Sequence, residues 1–277
     1  MNTSLMIIVV LVGVGAFFGI VLALADKKFA MEANPLIEEV EDILPKGQCG
    51  ACGYAGCAKY AEAVVEDPSV PPNLCVPGKA AVARKVAELT GKKAEAAEPR
   101  YAFLKCRGTK TAAAFAAEYE GVPDCAAAKL VQGGPKGCKF GCIGFGNCVK
   151  ACPFGALSMG EDGLPIVDRA ACTGCGKCVQ TCPQSILALK SFDAPVEVAC
   201  SSHDKGAVAR KLCKNACIGC GMCMRNCPHG AIKLEKNLAV VDSTICREKC
   251  TEAVCLAKCP TKAIGALVDA KSIRKTA

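Results

Sequence analysis

Between Cys138 and Pro260, sixteen cysteines fall into four groups of four, each closing in Cys-Pro: Cys152-Pro153, Cys182-Pro183, Cys227-Pro228 and Cys259-Pro260. Two groups, Cys172-x2-Cys175-x2-Cys178-x3-Cys182-Pro and Cys217-x2-Cys220-x2-Cys223-x3-Cys227-Pro, carry the spacing that ligates [4Fe–4S] clusters. Three thiolates so close together surround one cube only if the backbone turns tightly between them, which Gly174, Gly176, Gly219 and Gly221 permit. The other two groups are looser: Cys138-x3-Cys142-x5-Cys148-x3-Cys152 and Cys246-x3-Cys250-x4-Cys255-x3-Cys259. They keep the terminal x3-Cys-Pro and read as the same motif with widened loops. Zinc also takes four thiolates. Its ribbons space two Cys-x2-Cys knuckles by about a dozen residues or more, however, and need neither a third close cysteine nor Cys-Pro.

Ile166-Val167-Asp168 precedes Cys172 as Val240-Val241-Asp242 precedes Cys246, each reading as a short strand that leads into the second motif of a two-motif unit. The chain thus reads as two bicluster ferredoxin modules in tandem. In such modules the fourth cysteine of one motif ligates the cluster of the other. That groups Cys138, Cys142 and Cys148 with Cys182, and Cys172, Cys175 and Cys178 with Cys152. The second module groups Cys217, Cys220 and Cys223 with Cys259, and Cys246, Cys250 and Cys255 with Cys227.

With 277 residues, 5% aromatics and no tryptophan, the chain divides into small domains whose cores are the clusters themselves. Apo protein is therefore expected to unfold. Cluster spacing places the 24 cysteines in a reducing compartment rather than a secreted one. The formal charge of +8 invites a nucleic-acid or anionic-membrane partner. Five clusters at about −2 to −3 each, thiolates included, would contribute roughly −10 to −15, so the basic residues serve as their counterions. Nucleic acid is excluded on that ground. Two histidines, with no Walker loop and no G-x-G-x-x-G after a strand, leave no machinery for hydrolysis or nucleotide binding, and no catalytic residue is expected.

Leu5 to Ala25 contains no charge and as a helix would span about 31 Å, the thickness of a bilayer's hydrocarbon core. Asp26-Lys27-Lys28 follows, and no basic residue precedes it. The positive-inside rule puts the N-terminus outside and the rest in the cytoplasm. A signal peptide ending near Ala23-Leu24-Ala25 is the competing reading, but it lacks a basic start. Beyond Asn34-Pro35, which opens a short amphipathic helix, lies a different cysteine site: Cys49-x2-Cys52-x4-Cys57-x17-Cys75. A helix is expected over Lys79–Leu89, then a polar linker over Thr90–Pro99. Four cysteines stay outside these sets: Cys106, Cys125, Cys200 and Cys213. Cys106 and Cys125 flank a Lys/Ala-rich stretch read as helical, and Cys200 and Cys213 repeat the arrangement. They read either as buried structural thiols or as the ligands of a sixth cluster.

One N-terminal membrane helix, the Cys49–Cys75 site with its Cys52-Gly53-Tyr54-Ala55-Gly56-Cys57 core, and then ferredoxin modules: this order resembles the B subunit of the bacterial Rnf complex, the ion-translocating ferredoxin:NAD oxidoreductase. The resemblance covers nearly the whole chain, in the extended form with two bicluster modules found in anaerobes. It implies an α+β fold of small iron–sulfur modules: transmembrane anchor 1–26, helical [4Fe–4S] domain 27–90, linker and strand–helix segment 91–134, first module 135–192, second module 193–265 and basic tail 266–277. It also implies a cluster on Cys49, Cys52, Cys57 and Cys75, hence five clusters in all and a sixth if the leftover cysteines bind iron. The implied role is an enzyme subunit in the bacterial inner membrane. It relays low-potential electrons from soluble ferredoxin towards NAD and the membrane and flavin-bearing subunits while Na+ or H+ is translocated. The distal module, around Cys217 to Cys259, or its neighbour is expected to receive the electrons and the Cys49–Cys75 site to hand them on. Rival readings are an Rsx-type complex that keeps a redox-sensing transcription factor reduced, and a zinc-bound scaffold.

Overall fold

The computed structural model describes residues 3–29, 34–94 and 98–267, so the expected basic tail lies, from residue 268, outside the described residues. Helix α1 (Thr3–Phe29) contains an apolar span, Met6–Ala25, of 20 residues. At 1.5 Å per residue that span measures about 30 Å, enough to cross a bilayer. Its Leu11, Phe17 and Leu22 are exposed, and among the described residues nothing would lie within 4 Å of a Cβ at Gly13, Gly15 or Gly19.

Helix α2 (Pro35–Ile43) starts as its sequence dictates: Asn34 Oδ1 accepts from Leu36 N at 3.0 Å, and Pro35 occupies the first turn. It packs with α3 (Cys57–Glu66) and α4 (Lys79–Thr90) around Val40, Leu44, Tyr60, Val64 and Val86. The buried face of α4 centres on Ala83, Val86 and Ala87, and Ala81 lies outside it. Lys92 gathers the loose end of α3, donating to the carbonyls of Val64 (2.7 Å), Asp67 (2.7 Å) and Val70 (2.9 Å). A cation at a helix C-terminus is favoured by the unpaired carbonyls there.

The first ferredoxin-like unit comprises β1 (Arg100–Leu104), α5 (Cys125–Leu130), α6 (Asn147–Lys150), β2 (Leu157–Met159), β3 (Pro165–Val167), α7 (Lys177–Thr181) and β4 (Leu187–Ser191). The second comprises β5 (Val196–Val198), α8 (Gly206–Leu212), α9 (Met222–Arg225), β6 (Ile232–Glu235), β7 (Leu238–Val241), α10 (Ser243–Lys249), α11 (Val254–Lys258) and β8 (Ile264–Ala266). In each unit the first strand pairs antiparallel with the last, Arg100↔Ser191 to Leu104↔Leu187 and Val196↔Ala266 to Val198↔Ile264. An inner hairpin, β2–β3 or β6–β7, completes each unit. The strands expected at 166–167 and 240–241 are the second strands of these hairpins. Lys236 and Asn237, at φ 47° and 67°, form the two-residue turn of β6–β7, whose positive dihedrals match the strand twist.

Within the segment read as linker and strand–helix, β1 pairs with β4, and Glu98 accepts from Ser191 Oγ at 2.8 Å and pairs with Arg247. One expectation there changes. The helix expected between Cys106 and Cys125 is absent, and α5 begins at Cys125 itself. The intervening chain is drawn into long-range bridges, Ala113↔Cys213 and Phe115↔Lys136, which outweigh its alanine-rich propensity.

Two glycines show what the tight ligand loops demand. Gly174 (φ 74°) and Gly219 (φ 63°) hold equivalent places between cysteines, and a Cβ there would meet Arg100 O at 2.4 Å and Asn237 O at 2.8 Å. Gly155 (φ 62°) has open space around it. Left-handed backbone costs a non-glycine residue about 1–2 kcal/mol. Gly155→Ala should show that cost alone, whereas Gly174→Ala should lower the anaerobic thermal midpoint of the intact protein markedly more. Equal shifts in the two variants would contradict the close approach of β1.

Candidate metal centres

The 24 cysteines gather into six groups of four around local turns and hollows. In the N-terminal domain, Cys75 feels Cys57, Cys49 and Cys52; burial first, then these neighbours, push its thiol up to about 11. Gln48 Oε1 accepts from Cys57 N at 2.9 Å and fixes the start of α3. In the first ferredoxin-like unit, Cys152, Cys172, Cys175 and Cys178 line one hollow. In the second, Cys217, Cys220, Cys223 and Cys259 line another. Cys227 joins Cys246, Cys250 and Cys255: burial, then Cys250, Cys255 and Cys227, push Cys246 up to about 12. In these four expected sets the structure brings the thiols near one another.

The fifth expected set is divided. Cys142, Cys148 and Cys182 line a hollow together with Cys125 rather than Cys138. Asn147, the neighbour of Cys148, holds Cys125 there: its Oδ1 accepts from Cys125 N at 3.0 Å and its Nδ2 donates to Asp124 Oδ2 at 2.5 Å. Burial, then Cys182 and Cys125, raise Cys148 to about 11. Cys138 instead lines a hollow with Cys106, Cys200 and Cys213. The cause is backbone pairing. Gly137 N donates to Ala114 O at 2.8 Å and Ala114 N to Leu212 O at 2.8 Å, which ties residues 136–138 towards the end of α8.

The donor chemistry fits iron–sulfur clusters. Each hollow presents four sulfurs, and backbone amides point at them, as Ala102 N does at Cys172 Sγ (3.4 Å). Among the described residues, no three Cys, His, Asp or Glu side chains converge closely enough to hold a single metal ion. Burial first, then neighbouring thiols, raise Cys75, Cys148, Cys178, Cys246 and Cys255, so metal binding at their groups must release protons.

The groups are also neighbours in series. Cys49 lies close enough to Cys175 to raise its thiol, after burial. Gly47 packs on Phe154, beside Cys152. Cys178 is raised by burial, by its own partners Cys172 and Cys175, and by Cys148 of the next group. Cys142 N donates to Cys106 Sγ at 3.3 Å. Cys200 faces Cys217, and Cys223 acts on Cys255. The groups run unbroken from the membrane-proximal domain to the end of the second unit.

Comparison with known proteins agrees with this chemistry. Residues 44–77 match a family model described as a putative Fe-S cluster, residues 141–187 one described as a 4Fe-4S dicluster domain, and residues 214–233 one described as a 4Fe-4S binding domain. The chain is 60% identical to the B subunit of the proton-translocating ferredoxin:NAD(+) oxidoreductase complex of Clostridium ljungdahlii, over 99% of this chain and 96% of the relative. It is 43% identical to the B subunit of the ion-translocating oxidoreductase complex of Methanosarcina acetivorans, over 93% of this chain and 96% of that protein. It is 42% identical to the B subunit of the Na(+)-translocating ferredoxin:NAD(+) oxidoreductase complex of Acetobacterium woodii, over 97% of this chain and 80% of that one. Ferredoxin-type repeats behind an apolar N-terminal helix, shared with such relatives along the whole chain, place it in the family of Rnf complex B subunits.

Proposed function

We propose that this chain is the membrane-anchored electron-relay subunit of an ion-translocating ferredoxin:NAD oxidoreductase, accepting low-potential electrons from soluble ferredoxin. The observation that carries the reading is the serial order of the thiol groups. When bound, a [4Fe–4S] cluster supplies one-electron redox chemistry without any protonated or covalent intermediate. What the protein contributes is ligation, spacing and field. The ligands are Cys49, Cys52, Cys57 and Cys75; Cys152, Cys172, Cys175 and Cys178; Cys125, Cys142, Cys148 and Cys182; Cys217, Cys220, Cys223 and Cys259; and Cys227, Cys246, Cys250 and Cys255. Backbone N–H groups aimed at sulfur, such as Ala102 N at Cys172, stabilise thiolate charge and tune each site's potential.

Helix α1 anchors the chain, and Lys27 and Lys28, just past its apolar span, favour an N-terminus on the outer face and cluster domains in the cytoplasm, within reach of a soluble donor. The second ferredoxin-like unit, farthest along the series from the anchor, is the entry point, and the Cys49–Cys75 site delivers to the remaining subunits. Cys220 is the one exposed thiol among the cysteines, so electrons can enter the second unit near it.

The test is an anaerobic stopped-flow experiment with the full chain in detergent micelles. Mixing with reduced soluble ferredoxin should bleach the chain's absorbance near about 400 nm, characteristic of iron–sulfur clusters. Removing the second unit's first site with Cys217→Ala/Cys223→Ala should slow that bleaching at least tenfold. Bleaching by dithionite but not by ferredoxin would refute the donor, and an unchanged rate in the variant would refute the entry point.

A further inference from the structure

Four segments of chain converge on the hollow lined by Cys106, Cys138, Cys200 and Cys213, at the junction of the two ferredoxin-like units. Cys106 follows β1, Cys138 opens the first motif, Cys200 follows β5 and Cys213 caps the end of α8. The junction is laced together locally. Arg107 Nη1 donates to Lys262 O at 2.7 Å, Asn215 Nδ2 to Arg107 O at 2.9 Å, and Ser201 Oγ to Lys105 O at 3.0 Å. We propose that these four cysteines hold a sixth [4Fe–4S] cluster, which bridges the two ferredoxin-like units. The proposal rests on the iron–sulfur reading above and adds to it both a site and an exchange of ligands, Cys125 having taken the place expected for Cys138.

The surroundings are those of a thiolate site rather than of thiols buried as small apolar groups. Each sulfur faces the N–H two residues further on. Gly108 N lies 3.4 Å from Cys106 Sγ and Ser202 N 3.4 Å from Cys200 Sγ. The Phe140 and Asn215 amides face Cys138 and Cys213. Cys142 N adds a second donor to Cys106 at 3.3 Å. Such donors favour a negatively charged sulfur and its metal.

Lys136 is the second, independent observation. It is only 7% exposed, lines the same hollow, and donates to Gly108 O at 2.7 Å. Among the described residues no carboxylate pairs with it. A buried ammonium without a counter-charge is costly. A tetrathiolate cluster, at about −2 net, would supply one.

The site also closes a gap. Among the five other groups, the one nearest the junction in the first unit is Cys125, Cys142, Cys148 and Cys182, and the nearest in the second is Cys217, Cys220, Cys223 and Cys259. The contacts between them run through this hollow, from Cys142 to Cys106 and from Cys200 to Cys217. All 24 cysteines are then accounted for as ligands of six sites.

The test is a count of iron and acid-labile sulfide on the full-length chain, reconstituted anaerobically in detergent. Six sites predict about 24 of each per chain, four per cluster. Cys106→Ala/Cys213→Ala should lower the count to about 20, and adding Cys138→Ala should lower it no further, because all three serve one cluster. Adding Cys125→Ala/Cys148→Ala instead should take it to about 16. A wild-type count of about 20, with Cys106, Cys200 and Cys213 open to alkylation, would overturn the sixth site and leave the relay intact. A count near zero would overturn both. The wild-type count decides even where a variant fails to fold.

Discussion

Ligation of iron by four thiolates is the interaction on which the rest of this structure depends. The ferredoxin-like units contain only two-stranded sheets and short helices, and paired strands alone are marginal in water. Their apolar clusters are built from cysteines among small aliphatic side chains. One joins Cys217, Cys223, Cys246 and Cys255 to Val196, Ile232 and Ile264, and another joins Cys172 and Cys178 to Tyr101 and Leu187. Removing the inorganic cores would leave cavities where the centre of each unit should be. Sheet pairing, loop geometry and the junction between units are all arranged around sulfur.

The electrostatics follow from the same constraint. Thiols packed together in low dielectric resist ionisation; Cys142, pushed up to about 12 by burial and then by Cys106, shows how strongly. Only a metal centre makes such a group of thiolates affordable. The protein meets the charge with backbone amides aimed at sulfur, with Lys136 between two sites, and with a surplus of basic residues along the chain. A formal +8 read without its cofactors points to an anionic partner, and read with them it points to internal compensation.

Local spacing made much of this legible. Cys-x2-Cys-x2-Cys can close around only one centre, so the regular motifs, their crossing fourth cysteines and the strands at 166–167 and 240–241 follow from sequence alone. So does the start of α2, where Asn34 and Pro35 act within one turn. The exchange of Cys125 for Cys138 was not legible. Widening the first motif to x3 and x5 frees its first cysteine. What then captures Cys138 is pairing of 136–137 with 114–115, and of those residues with 212–213, contacts between segments up to about a hundred residues apart in sequence. The signals available were the irregular spacing itself and a cysteine total divisible by four.

The most direct test of the account is iron-edge anomalous diffraction from crystals of the intact holoprotein. It predicts a discrete iron cluster at every thiol group, in the order Cys49–Cys75 site, Cys152 group, Cys125 group, junction, Cys217 group and Cys227 group. A break in that series, or single metal ions in place of clusters, would contradict the claim that this chain is a continuous electron relay.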